Sequence, residues 1–282
     1  MSTCVETAVK ILTTESSAWG IVAEPQSASF ETGVVIITGG LQYRSGAHRQ
    51  SVSLSRQLSL AGFPTIRFDL AGLGDATGSI HNFEHLRPQV DAALAALIRQ
   101  APKVKKVVLW GLCDGASAAL LQCADRPDPR IAGLCLVNPW VRSDSGLART
   151  HIKHYYGHRL TEWSFWRKLF GGGIGPKAIE QLLGNLRASF RQRQATHSFH
   201  EQMAQSWHAL SVPILLLISE KDLTGQEFMD HARTDKAWHG CLQMPNVQQH
   251  IMPGADHTCS TPGGHELLVQ LTQQWLLSRF RH

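Results

Sequence analysis

Short apolar runs alternate along this chain with longer stretches in which apolar residues recur every three or four positions. Residues 34–37, Thr65–Phe68, 107–110, Ile131–Val137, Ile214–Ser219 and Val247–Met252 are strand-sized, and turn-forming residues follow them. Between them, 46–61 reads as a helix with Val52, Leu54 and Leu58 inward. A second helix is expected from Asn82 as N-cap, with Phe83, Leu86, Val90, Leu94, Leu97 and Ile98 on one face. Residues 116–121 and 265–280 supply two more, and 8–13 with 20–24 read as the antiparallel edge strands of a leading hairpin. Strands and helices alternating at this spacing predict an α/β domain, a mostly parallel central sheet flanked by helices. The reactive loops of such a sheet lie at the carboxyl ends of its strands.

The alternation breaks from 142 to 209. That stretch is helical in composition, rich in Arg, His and aromatic residues, and interrupted by Gly171-Gly172-Gly173 and Gly175-Pro176. We expect a helical cap insertion there, with the core formed by 1–141 and 210–282. A solvated helical subdomain without a part in the chemistry is the competing reading. Charge separates the two regions: 142–207 holds ten Lys and Arg against four Asp and Glu, in a chain whose net charge is only +5. Tyr155, Trp163 and Trp166 beside Arg159 and Arg167 suit a substrate bearing phosphate or lipid, or a peripheral contact with a membrane surface. They suit equally a cap whose aromatics line an acyl pocket.

Other bulk properties narrow the class. The longest apolar runs are too short to cross a bilayer. The first residues, Met1 to Glu6, show neither a basic n-region nor an apolar h-region, so a cytoplasmic protein is expected, at most peripheral to the inner membrane. Six cysteines without a C-x-x-C pair suggest no disulfide framework. No nucleic-acid recognition motif is present, and no phosphate-binding loop.

The chemistry is concentrated in three places. Gly111-Leu112-Cys113-Asp114-Gly115 joins a buried strand to a small-residue helix, the setting of a nucleophile elbow. The side chain offered there is a thiol at the positive end of a helix dipole, which favours the thiolate. Taken alone, the pentapeptide also fits a small core residue in a tight turn. Asp222 and His257 each follow a strand closely, and nucleophile, acid and histidine occur in that chain order. His257 is expected to take the thiol proton or hold the thiolate as an ion pair, and Asp222 to fix the imidazole. Glu220 and Asp256 are weaker rivals for the acid role. An oxyanion hole is expected from the backbone N–H of Asp114 and that of Gly40 or Leu41, in the turn after 34–37. Arg44, near that turn, is a candidate for binding a substrate anion, with His48 and Arg49 less favoured. No metal or other cofactor is required.

The elbow, the order of the three groups and the loops together resemble the α/β-hydrolase superfamily. More narrowly, 39–50, 110–114, Asn138-Pro139-Trp140-Val141 and Lys153-His154-Tyr155-Tyr156 resemble the exosortase A system-associated hydrolase 1 family. That resemblance implies an α/β-hydrolase fold with a helical cap, in a bacterial protein linked to exopolysaccharide and protein-sorting genes. The expected activity is cleavage of an ester or thioester through a covalent acyl-cysteine. Transfer of the acyl group to a sugar or amine is the alternative, and a non-catalytic binding member of the fold is a third reading.

Overall fold

The computed structural model describes residues 4–26, 29–124, 128–142 and 198–281. Eight strands form one sheet: β1 (Cys4–Leu12), β2 (Ser17–Pro25), β3 (Thr32–Ile37), β4 (Thr65–Phe68), β5 (Lys106–Leu112), β6 (Ile131–Val137), β7 (Ile214–Ser219) and β8 (Val247–Met252). Their spatial order is β1-β2-β4-β3-β5-β6-β7-β8. The β1–β2 hairpin pairs antiparallel and joins β4 antiparallel, and all other pairs are parallel.

Helices cover both faces, so the central strands β3 and β7 are buried at every position. Side-chain alternation divides their residues between two cores. Val35, Ile37, Leu109, Leu136 and Leu216 face α2 (Arg87–Gln100), α3 (Asp114–Leu121) and a helix from Phe199 to Ala209, here α4. Val34, Ile36, Trp110, Leu215 and Leu217 face α1 (Gln50–Leu60) and the last helix, Gly264–Arg279. The remaining helix, α5 (Leu223–Thr234), follows β7 directly, and the last helix is therefore α6.

Of the expected cap, 142–209, residues 143–197 lie outside the described residues. The chain on either side of it, through Val141 and again from Phe199, builds one compact unit. Residues 199–209, assigned by sequence to the insertion, form α4, whose Met203 and Trp207 are fully buried. Trp207 packs edge-on to Trp238 and donates its indole N–H to the Cys241 carbonyl at 3.0 Å. No helix among the described residues is long and apolar enough to cross a membrane.

Two helix starts differ from expectation. The helix expected from Asn82 begins at Arg87, after a 3-10 turn at Phe83–His85, and Pro88 lies in its first turn. Pro88 has no N–H for the bond it would owe inside a helix begun at Asn82, and the first turn is where that loss costs nothing. The helix expected from Gly46 begins at Gln50, because His48 and Arg49 have left-handed φ of 40° and 63° and cannot continue an α-helix.

Candidate active site

The sharp turn after β5 carries the first functional side chain. Cys113 has φ 61° and ψ −127°, which turns the chain from strand into α3 and leaves the thiol partly exposed. Close approach of backbone makes the turn possible: a Cβ on Gly111 would sit 2.3 Å from the Gly115 carbonyl oxygen. Cys113 N–H donates to the Val137 carbonyl at 2.9 Å, and the Cys113 carbonyl accepts from Trp140 N–H at 3.2 Å. An uncommon, strained backbone is thus held on both sides by the end of β6.

Asp222 lies at the carboxyl end of β7 and begins α5. Its Oδ1 accepts from Thr224 N–H at 3.0 Å and its Oδ2 from Gly225 N–H at 3.1 Å, so it is the N-cap of that helix. The same Oδ2 accepts from His257 Nδ1 at 2.9 Å. Burial works against the charged carboxylate, but the His257 hydrogen bond and charge, with the two backbone N–H groups, outweigh it and hold the carboxyl below its ordinary range.

His257 follows β8, and its ring joins the other two groups. The hydrogen bond it donates to Asp222 first, and the neighbouring Cys113 second, raise the imidazole to about 10, against the opposing effect of burial. The sequence-predicted Asp222 and His257 are thus bonded directly, and Cys113 lies close enough to the ring to influence it, at the ends of β7, β8 and β5. Both rivals for the acid role are occupied elsewhere. Glu220 accepts from Gly254 N–H at 2.6 Å, and Asp256 accepts from the Ser260 N–H at 2.6 Å and from its hydroxyl. Cys259 is buried, and burial pushes its thiol up to about 11, so it packs behind the site as an unreactive neighbour.

Asn138 holds the two loops together. It is fully buried at the end of β6 with φ 46°, and its Oδ1 accepts from Ser219 N–H at 2.7 Å. Its Nδ2 donates to Ser219 Oγ at 2.9 Å and to the His257 carbonyl at 3.2 Å. No motif marked it as a positioning residue. Its sequence signals were its place in the Asn138-Pro139-Trp140-Val141 segment that carries the family resemblance and an amide at the end of an apolar strand, neither of which gave it a positioning role.

The turn from which oxyanion donors were expected follows β3, and one of its N–H groups is engaged. Gly40 N–H donates to Asp114 Oδ1 at 2.5 Å, while Leu41 is exposed. Burial raises the Asp114 carboxyl above its ordinary range, against hydrogen bonds from the Gly40, Gly115 and Asp114 backbones. Arg44 is held inside the protein. Its Nη1 meets both Asp69 and Asp75, the latter at 2.7 Å, and its Cζ lies 4.3 Å from the Tyr43 ring centre. It ties the loop after β3 to the loop after β4, and its charge is balanced there. His48 Nε2 lies 3.0 Å from Thr258 Oγ1, beside His257, and Arg49 is exposed.

The dual bonding of Asp222 predicts separable effects. Asp222→Ala is expected to cost about 0.5–2 kcal/mol of stability through the lost cap. Asp222→Asn should recover most of that loss yet leave kcat lower by about 10⁴-fold, because an amide no longer holds the imidazole in its working form. Urea unfolding beside steady-state kinetics checks both; equal recovery of stability and rate by Asn would remove Asp222 from the chemistry.

The family model described as "Alpha/beta hydrolase family" matches residues 34–266. Among solved structures, an esterase of Pyrococcus furiosus is similar at a TM-score of 0.65 and 17% identity, over 98% of this chain and 94% of that one. A dienelactone hydrolase of Anabaena variabilis gives 0.63 and 16%, over 99% of both chains. A thermophilic esterase of Thermogutta terrifontis gives 0.58 and 21%, over 97% and 99%. No curated protein matches the chain.

Proposed function

This chain belongs to the alpha/beta hydrolase family, and from that premise we propose that it cleaves an ester or thioester through an acyl-Cys113 intermediate. One observation carries the reading: His257, bonded to Asp222 at 2.9 Å, and the Cys113 thiol whose influence it feels come together at the carboxyl ends of β8, β7 and β5. The esterase-like architecture of the similar structures supports the reaction class, and the strained elbow supports Cys113 as the attacking group.

The steps follow from charge. Cys113 Sγ, as thiolate paired with the His257 imidazolium, attacks the carbonyl carbon, and the carbonyl oxygen becomes the oxyanion. Asp114 N–H and the Gly40–Leu41 turn are the donors for it. Collapse breaks the bond to the leaving alcohol or thiol, which takes the His257 proton. The thioester now on Cys113 bears no charge, so His257 loses one of its two anionic neighbours and keeps only Asp222. The neutral imidazole then removes a proton from water as the water attacks the thioester. The acid departs, and the thiolate–imidazolium pair is restored. The chain's own groups carry every proton.

The narrower likeness of 39–50 and 153–156 to exosortase A system-associated hydrolases extends the proposal to an exopolysaccharide setting in a bacterium. The test is intact mass of the protein during turnover of p-nitrophenyl esters and acyl thioesters, with peptide mapping of the adduct. An acyl group on Cys113 that forms and decays at the rate of turnover is expected. Turnover with no acyl-Cys113, or no reaction with any ester or thioester, overturns the reading. Adding amine or sugar acceptors to the same assay separates hydrolysis from acyl transfer by product.

A further inference from the structure

We propose that the cavity beside the oxyanion turn selects a short acyl group bearing a hydroxyl close to its carbonyl, and that this hydroxyl draws the Asp114 carboxylate away from the Gly40 N–H. The inference rests on the acyl-Cys113 reading and names its substrate class. It starts from an obstruction. Gly40 N–H, a donor meant for an oxyanion, is bonded to a carboxylate at 2.5 Å. A negative group in that position repels the charge that the turn should stabilise. The approach is close: a Cβ on Gly39 would lie 2.7 Å from Asp114 Oδ1 and 2.2 Å from the Leu112 carbonyl oxygen, so only glycine lets the carboxylate reach the turn, while the space beside Gly40 is open.

The second observation is the cavity itself. It measures ≈ 180 Å³ and is lined by Thr38, Gly40 and Asp114, by His81 and Asn82 on the far loop, and by apolar residues such as Leu70. That is small beside the roughly 300–1,000 Å³ of common ligand sites, and it suits a short acyl group. Thr38 is 3% exposed, and its hydroxyl has no hydrogen-bond partner. A buried hydroxyl without a partner, in the wall of a cavity next to the nucleophile, is a demand for a ligand atom.

One substrate hydroxyl meets both needs. It donates to the Asp114 carboxylate, which only accepts, and it accepts from the Thr38 hydroxyl. With Asp114 engaged by substrate, Gly40 N–H turns to the carbonyl oxygen. An unsubstituted acyl group leaves Thr38 unpaired and the carboxylate on Gly40. An ammonium group reaches Asp114 as well but has no lone pair to accept from the Thr38 hydroxyl, so it meets only one of the two needs.

The experiment compares p-nitrophenyl butyrate with the 3-hydroxybutyrate and 3-aminobutyrate esters, each rate divided by its uncatalysed rate. Wild-type kcat/KM is expected to favour the hydroxy ester over butyrate by about tenfold or more. Thr38→Val, nearly isosteric, should reduce that ratio by lowering the hydroxy ester alone. Asp114→Ala should bring the ratio close to one by raising butyrate turnover, because it frees Gly40 N–H. A wild-type ratio near one, a ratio that survives both substitutions, or a greater preference for the amino ester overturns the inference while the hydrolase reading stands. Absence of acyl-Cys113 with all three esters, in wild type and Asp114→Ala, overturns both. Should Asp114→Ala fold poorly, Thr38→Val and the three-ester wild-type comparison decide alone.

Discussion

Replacing Cys113 with alanine is expected to lower ester turnover by on the order of 10⁶-fold in kcat, because groups that act as one unit fail together when the nucleophile is removed. Intact mass should then show no acyl adduct, while wild type shows one. Cys113→Ser is the sharper variant. A serine hydroxyl at the elbow does not ionise at neutral pH, so it must be deprotonated by a neutral imidazole. His257 owes its raised value of about 10 to Asp222 first and Cys113 second. With serine the second of these is gone, and the ring returns towards its ordinary range. Low but measurable activity is expected from Cys113→Ser, insensitive to thiol reagents. Full activity in Cys113→Ala would end the thiol mechanism outright.

The second large effect belongs to His257. His257→Ala should abolish turnover and slow iodoacetamide alkylation of Cys113 at neutral pH by roughly tenfold or more, since the thiolate loses its cation. Alkylation unchanged by the substitution would sink the resting ion pair. The pH dependence has a definite sign. The folded imidazole titrates at about 10, above its unfolded value of about 6.5. The folded state thus binds the proton more tightly, and the resulting stabilisation is complete below about pH 6.5. It is lost as pH rises through about 10. The difference in stability between wild type and His257→Ala should therefore be constant in mild acid and shrink steadily towards pH 10. Acylation, which needs the imidazolium to protonate the leaving group, should fall over the same alkaline limb. A gap that widens with pH would contradict the assignment.

Most of the sheet was legible because its central strands are buried on both faces and so read as unbroken apolar runs. The meeting of Asp222 and His257 was legible because parallel strands deliver their loops to one edge, making chain order a guide to place. Three features were not. Helix α5 begins at Asp222, a residue already accounted for by its catalytic pattern, and the capping signal was hidden beneath that reading. Asn138 acts through three hydrogen bonds to residues far along the chain, and no local spacing encodes them. Arg44 looked available for an anion because the two carboxylates that hold it, Asp69 and Asp75, lie in a separate loop. Polar partners distant in sequence leave no periodicity to read.

Asp222 also changes how relatives of this chain should be judged. Because one carboxylate both starts a helix and orients a histidine, folding alone is reason enough to retain it. A descendant that had lost its chemistry would keep the aspartate as long as it kept the helix. The acid is thus a poor witness to activity. Among the described residues the hydrogen bonds of Cys113 run through its backbone, and its thiol has no such second duty. Where evolution has relaxed the reaction, the thiol and the imidazole should drift first, and the aspartate should remain as a structural relic.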